Sequence, residues 1–370
     1  MMNSISAERA AAAGHIGTEG VAGRGFGCRR SSPPLPGTRL AFLFRYGCRR
    51  ACRAWAANIW KRCMVPHSRG RYDTMIGIAR NPYSMNVSAH LIETASRLGV
   101  PVRVIDLPTL TVDIGIAGEV VVRDAAGIID IVSLAPYLLV GYPAAVHAFR
   151  LLSQRAHVQN PVDSVLTADD KAATAVRLSG SILPQVPSVI CPLDQQHVLS
   201  AAETIQYPVV LKRAHGAEGR WVRRAVDPVA LAKEFHELES RGPGVLILQP
   251  QVTEFYGRSI RVVITGGRLL AATLRTAVGN EWRSNIAYGA TQHPIDLTVT
   301  ERQLAEDAAH TIGLGHAGID ILRTTHGPLV LEVNSYPDFT NMLPCFNEDL
   351  SRAVLRACLP PYGREPHDPW

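Results

Sequence analysis

From residue 75 onward, short apolar runs alternate with stretches whose apolar residues recur every three or four positions, with Gly, Pro and Asp between them. That is the pattern of a mixed α and β chain. Met75–Arg80 and Val102–Leu107 are strands on either side of a helix, Ser88–Leu98, whose Leu91, Ala95 and Leu98 share a face and which Gly99 stops. A βαβ opening predicts a small parallel α/β layer. Glu119–Arg123 and Gly127–Val132 add strands, and Tyr142–Gln154 a helix. Thr167-Ala168-Asp169-Asp170 has the spacing of a capping box, with Asp in place of Glu, opening a helix that runs to about Ser179 and carries Lys171. Ser188–Cys191 is a strand; Asp194 caps a helix with Val198, Ala201, Ala202 and Ile205 inward; Tyr207–Lys212 is a buried strand ending on a lysine. Asp227-Pro228 starts a helix with the stripe Leu231, Phe235, Leu238, and Val245–Gln249 is a strand. Gly266-Gly267 joins Ser259–Thr265 to Arg268–Leu274 as a hairpin. A helix, Thr300–Ile312, ends at Gly313, and no internal repeat is visible.

The last two strands, Gly318–Arg323 and Pro328–Asn334, break the apolar pattern, because Asp320, Glu332 and Asn334 interrupt otherwise apolar runs. A buried, unpaired carboxylate is costly. With a three-residue loop, Thr325–Gly327, Thr324 faces Pro328 and Asp320 faces Glu332, with Asn334 on the same sheet face. Three oxygen donors on rigid strands suit a hard divalent cation such as Mg²⁺; the alternative is a hairpin with a half-wet face.

Composition changes the picture at the N-terminus. The chain of 370 residues has a net charge of +6. Residues 1–72 hold twelve Arg and one Lys against Glu8 and Glu19, a balance of +11, so the remainder carries −5. The folded part is mildly acidic, so composition gives no case for a nucleic-acid-binding body and no nucleic-acid partner is expected for it. The basic stretch is expected to be a disordered extension, or upstream sequence before a start at Met64 or Met75; a transit peptide or a nucleic-acid arm is the alternative. Cys28, Cys48, Cys52 and Cys63 lie in this stretch, and Cys191, Cys345 and Cys358 are scattered, so free thiols in a reducing cytosol are expected. The uncharged run Ile131–Phe149 is broken by Pro136, Gly141 and Pro143, and no membrane span or secretory signal is expected.

Two further stretches could handle phosphate. Lys212 precedes His215-Gly216-Ala217-Glu218-Gly219, where glycines let backbone N–H groups approach an anion. Arg275 and Trp282-Arg283-Ser284-Asn285 supply guanidinium forks. Neither GxxxxGK[ST] nor GxGxxG is present.

In this order, and with Arg-Ser-Asn at 283–285 and AGIDILR…GPLVLEVNSYP at 317–337, the chain resembles the ATP-grasp proteins, most closely the RimK-type glutamate ligases. The resemblance implies an α+β ATP-grasp fold, two α+β subdomains gripping ATP, preceded by a small parallel α/β pre-ATP-grasp domain. The divisions expected are 73–165 for that domain, 166–242 and 243–358 for the two subdomains, and 359–370 for a Pro-rich tail. It also implies site residues. Lys171 and Lys212 contact ATP, Gly216–Gly219 close over its phosphates, Gln249–Val252 form the adenine hinge, and Arg261 joins the nucleotide side. Asp320, Glu332 and Asn334 bind two Mg²⁺ or Mn²⁺ ions, Arg275 stabilises the transferring phosphate, and Arg283 and Asn285 face phosphate or a substrate carboxylate. The implied activity is a cytoplasmic carboxylate–amine ligase working through an acyl phosphate. Its partners are ATP, a carboxylate substrate and a glutamate-like amino acid, and a homo-oligomer is possible. A binding protein that senses ATP without ligating is the alternative. The chain departs from the family pattern at Trp221 where a third glycine is usual, at Pro250 in the hinge, at Ser259 where an acid is usual, and at Ala287-Tyr288-Gly289.

Overall fold

The computed structural model describes residues 75–80, 85–138, 141–346 and 350–360. The basic stretch 1–72 with its four cysteines and Met64, and most of the Pro-rich tail, lie outside them. The expected opening is present: β1 (Ile76–Arg80), α1 (Met85–Leu98) and β2 (Val102–Asp106), with β1 and β2 parallel. A separate antiparallel sheet follows, of β3 (Thr111–Ile114), β4 (Val120–Asp124) and β5 (Gly127–Ile128). Here the expected strand Gly127–Val132 keeps only two residues. The chain then crosses back, and β6 (Ser133–Leu134) and β7 (His157–Val158), separated by α2 (Pro143–Leu152), complete the parallel sheet in the order β2-β1-β6-β7.

The capping-box expectation is corrected. A helix, α3 (Val162–Asp169), already runs through Thr167, and Asp170 itself is the N-cap of α4 (Lys171–Gly180), accepting from the Ala172 and Ala173 N–H groups. Lys171 therefore stands at the first helical position. The next sheet, β10-β9-β11-β8, is antiparallel and consists of β8 (Val189–Pro192), β9 (Val209–Arg213), β10 (Val222–Ala225) and β11 (Val245–Pro250). Two helices, α5 (Gln195–Ile205) and α6 (Pro228–Glu239), have the Asp194 and Asp227 caps that were expected. Their stripes (Val198, Ala201 and Ala202; Leu231, Phe235 and Leu238) form a core with Val209, Leu211, Leu246 and Leu248.

The largest sheet is β14-β13-β12-β15-β16: β12 (Arg258–Thr265), β13 (Arg268–Thr276), β14 (Thr291–Pro294), β15 (His316–Thr324) and β16 (Gly327–Asn334). Alternation on β12 and β15 divides its faces. Ile260, Val262, Ile264, Ile319 and Ile321 turn to one core with α7 (Val299–Ile312). Arg261, Val263, Gly318 and Asp320 turn to the other face. There Val263 and Ala271 pack with α1 and α8 (Leu350–Cys358), while the end bearing Arg261 and Asp320 is left polar. Among the described residues, no helix is long and apolar enough to cross a membrane.

Candidate active site

The hairpin β15–β16 reaches the expected pairing by a different route. Its turn is two residues, Thr325-His326, with Thr324 opposite Gly327 and Arg323 opposite Pro328. That register alone would set Leu331 against Asp320. A β-bulge at Leu331 adds one residue, so Glu332 lies opposite Asp320 and Asn334 opposite Gly318. Val330 and Val333 stay in the α7 core, while Leu331 and Glu332 both line a cleft.

That cleft encloses about 840 Å³, open mouth included, between β9/β11 and the polar end of the large sheet. Lys212, Gly219, Gln249, Val252, Arg275, Arg283, Asn285, Asp320 and Glu332 line it, over an apolar floor that includes Val186, Val210, Leu322 and Leu331. Lys171 lines a smaller adjoining cavity with Lys212, Gln249 and Glu332. Ten of the residues singled out in the sequence thus converge from the sheet of β8–β11, the largest sheet, α4 and the loops between them.

Its electrostatics are those of a site that receives an anion. Arg275 is 6% exposed, and its Nε has no hydrogen-bond partner. Burial, then the nearby Arg261 charge, brings its guanidinium down to about 10 against the pull of Asp320, Asp338 and Glu332. Burial likewise lowers Lys212, 7% exposed, to about 8, although Glu332 and Asp320 pull upward. A buried cationic donor without a partner is expensive unless a ligand supplies one. Lys171 Nζ lies 3.5 Å from Glu332 Oε1 and donates to the Gly216 carbonyl, tying the glycine loop to the acidic hairpin.

The loop itself needs its glycines. Gly216 has φ +143, and a Cβ there would stand 2.7 Å from Trp221 Cδ1; Gly219 has φ +73 and abuts Asn285 Oδ1. Arg283 Nη1 and the Tyr288 hydroxyl approach the Gly219 carbonyl at 3.3 and 3.4 Å. Arg283 is already engaged, forking onto Glu281 at 2.9 Å and stacking 3.7 Å over the Tyr288 ring. That fork holds the Glu281 carboxyl at about 2. Glu281, two residues before the Arg-Ser-Asn motif, was not singled out in the sequence. Gln249 donates to Ser188 Oγ at 2.9 Å, and Ser259, opposite Arg275 across β12–β13, bonds Ser284 Oγ at 2.6 Å.

Arg261, expected on the nucleotide side, turns instead to Asp320, its direct neighbour on β15. Its Nε and Nη2 reach the two carboxylate oxygens at 2.6 and 2.7 Å. Burial pushes the Asp320 carboxyl up, but Arg261, then Arg275 and Lys212, hold it below its ordinary range. Among the described residues, no three His, Cys, Asp or Glu side chains gather in a metal-holding group. The donor set expected for a metal is two carboxylates and an amide. It is present on one face of one hairpin, and a carboxylate in a fork keeps free lone pairs, so the chemistry fits a hard cation.

A model of the RimK-like ATP-grasp domain matches residues 168–357. A probable alpha-L-glutamate ligase of Parasynechococcus marenigrum (strain WH8102) is 30% identical over 201 residues, 54% of this chain and 42% of that one. Another, from Rhodopirellula baltica (strain DSM 10527 / NCIMB 13988 / SH1), is 34% identical over 171 residues, 46% and 42% of the two chains. The chain thus spans less than half the length of these curated relatives. A RimK-domain ATP-grasp protein from Sphaerobacter thermophilus DSM 20745 superposes with TM-score 0.58 at 19% identity, over 77% of this chain and 100% of that one. D-alanine–D-alanine ligase from Bacillus anthracis gives TM-score 0.57 at 13% identity, over 77% and 97%. These two likenesses establish the fold.

Proposed function

Because the chain belongs to the RimK-like ATP-grasp family, we propose that it is an ATP-dependent carboxylate–amine ligase. It joins glutamate or a similar amino acid to a small-molecule precursor or a peptide C-terminus. The observation that carries this reading is Arg275, buried with an unpartnered Nε beside the Asp320–Glu332 pair, a place built for an anion next to a place built for a cation.

A carboxylate is a poor acyl donor because oxide is a poor leaving group. In the proposed reaction a carboxylate oxygen attacks the γ-phosphorus of ATP, the bond to ADP breaks, and an acyl phosphate forms. The amine nitrogen then attacks the acyl carbon, the C–O bond breaks, phosphate leaves, and the nitrogen loses a proton to water. Phosphoryl transfer depends mainly on positioning and charge. Arg275 meets the oxygens of the moving phosphoryl group, and Lys212 and Lys171 meet the polyphosphate. The glycine loop at 216–219 covers it and excludes water from the acyl phosphate. Asp320, Glu332 and Asn334 would hold divalent cations, which neutralise polyphosphate charge when bound. The apolar floor of Val186, Val210, Leu322 and Leu331 receives the base.

The test mixes the protein with ATP, Mg²⁺, glutamate and a panel of carboxylates, following ADP release and trapping the acyl phosphate with hydroxylamine. Acceptor-dependent ADP and a hydroxamate are expected. Tight ATP binding with neither product across the panel would mark a nucleotide-binding protein instead, the reading that Pro250 in the hinge favours because it lacks an N–H donor.

A further inference from the structure

Both carboxylates of the acidic hairpin already hold a cation. Asp320 is forked by Arg261, and Glu332 lies 3.5 Å from Lys171 Nζ. The Arg261–Asp320 pair is built into the backbone as well as the side chains. The two residues are direct cross-strand partners on β12 and β15. The neighbouring Gly318 leaves the space that the guanidinium occupies: a Cβ there would meet Arg261 Nη1 at 3.2 Å and its Cδ at 3.4 Å. Around this pair, Lys171, Lys212, Arg261 and Arg275 face Asp320, Glu332 and Asp338, so the cluster is positive without a ligand. A divalent cation entering alone would compete with Arg261 for the Asp320 oxygens and add charge to a cluster that is already positive. A polyphosphate reverses that balance and offers Arg261 another set of anionic oxygens.

We propose that Arg261 is a gate on the metal site: it holds Asp320 until a nucleotide polyphosphate arrives, so that the divalent cation binds only with, or after, the nucleotide. This rests on the ligase reading, since it takes Asp320, Glu332 and Asn334 as the cation's ligands and a nucleotide as the anion. Arg261 is on this account a positioning residue, whose exchange from carboxylate to phosphate opens a ligand. Gly318 leaves room beside β15 for the guanidinium in that exchange.

The experiment uses the full chain and needs no turnover. Mn²⁺ binding is titrated by the electron paramagnetic resonance signal of the free aquo ion, with and without ADP, and ADP binding is measured separately in EDTA. In the unsubstituted protein, ADP is expected to tighten Mn²⁺ binding on the order of tenfold or more, the range of ordinary site-to-site coupling. Arg261→Gln is expected to bind Mn²⁺ without nucleotide at least about tenfold tighter than the unsubstituted chain and to lose most of the ADP effect. Arg261→Lys leaves Asp320 a cationic partner without the fork. It preserves the fold if Arg261→Gln does not, and is expected to fall between the two. Equal Mn²⁺ affinity with and without ADP in the unsubstituted protein, or unchanged nucleotide-free affinity in a folded Arg261 variant, overturns the gate. A chain that binds no ADP under either condition overturns the ligase reading itself.

Discussion

At the scale of single residues, the site turns on two buried cations, Arg275 and Lys212. Arg275 has the sharpest consequence. If its guanidinium meets a phosphoryl group only as charge develops, Arg275→Met lowers kcat by about 10²- to 10³-fold, the usual loss when one such donor is removed. The same substitution deletes a buried donor that has no partner, so urea unfolding should give unchanged or slightly higher stability. Loss of kcat together with unfolding would mean that Arg275 is structural. Lys212 makes a pH prediction. Burial brings it to about 8, so in the free protein it is charged below that pH and neutral above it. A bound anion favours the charged form, so binding above pH 8 must take up a proton. ADP affinity is therefore expected to be level from pH 6.5 to 7.5 and to fall by up to about tenfold per unit above 8. In Lys212→Met the affinity is lower throughout and the bend near 8 is gone, which calorimetry in two buffers of different ionisation heat would check. These two residues were legible in the sequence as types at a spacing. Their burial and the unpartnered Arg275 Nε were not, because these arise only when the sheet of β8–β11 and the largest sheet close on the cleft.

At the scale of elements, what could be read was whatever local pattern decides. The Gly266-Gly267 hairpin, the caps at Asp194 and Asp227 and the stripe of α6 follow from neighbouring residues, and the structure contains them. What failed had two local solutions or none. Thr167 and Asp170 both suit an N-cap, and only the presence of α3, entered from Pro161, leaves Asp170 to start α4. The strand β14 reads Thr-Gln-His-Pro and exists by pairing with the edge of β13, which a polar tetrapeptide does not announce. The acidic hairpin shows an error corrected by another feature: the turn is one residue shorter than expected, and the bulge at Leu331 restores Glu332 to Asp320. The Arg261–Asp320 fork spans 59 residues and depends on β12 lying beside β15, so the sequence suggested two separate roles where the structure makes one pair. The glycine loop yields a prediction at this scale. Gly216→Ala places a methyl 2.7 Å from the Trp221 ring at a φ that L-residues avoid, so the loop cannot sit against Arg283 and Tyr288 as it does now. The KM for ATP is expected to rise on the order of tenfold or more, since misplaced contacts of about 1 Å are costly. Gly99→Ala, also at positive φ but with open space around it, should cost about 1–2 kcal/mol of stability and leave KM unchanged. Equal effects of the two on KM would remove the loop from the site.

At the scale of the whole molecule, the N-terminal layer is locked to the largest sheet by a buried polar network. His316, at the start of β15 and fully buried, contacts the Tyr137 hydroxyl at 2.7 Å through Nε2 and Thr265 Oγ1 at 2.7 Å through Nδ1. Asn160 completes it by accepting from the His316 N–H and donating to the His316 and Ser335 carbonyls, so it grips the entry of β15 and the exit of β16 at once. Both strands that carry the acidic cluster are thereby fixed to the segment between the parallel sheet and α3. Every polar atom of the imidazole is satisfied in its neutral form, and burial lowers its pKa to about 3 from 6.5. The sign follows from proton counts. Below pH 6.5 the unfolded chain binds a proton at this position and the native chain does not, until the pH approaches 3. Stability from this residue is thus fully present above about 6.5 and is lost on acidification, at up to about 1.4 kcal/mol per pH unit. Other groups add their own slopes, so the measurement is a difference. Urea unfolding is followed between pH 7 and 4 for the unsubstituted chain and for His316→Gln. The variant is expected to be less stable at pH 7, having lost at least one buried hydrogen bond, and to show a shallower fall in stability toward pH 4, because the titrating group is gone. A parallel fall in the two proteins would mean that His316 is protonated in the native state, and the network joining the N-terminal layer to the sheet would then need a different account of its charge.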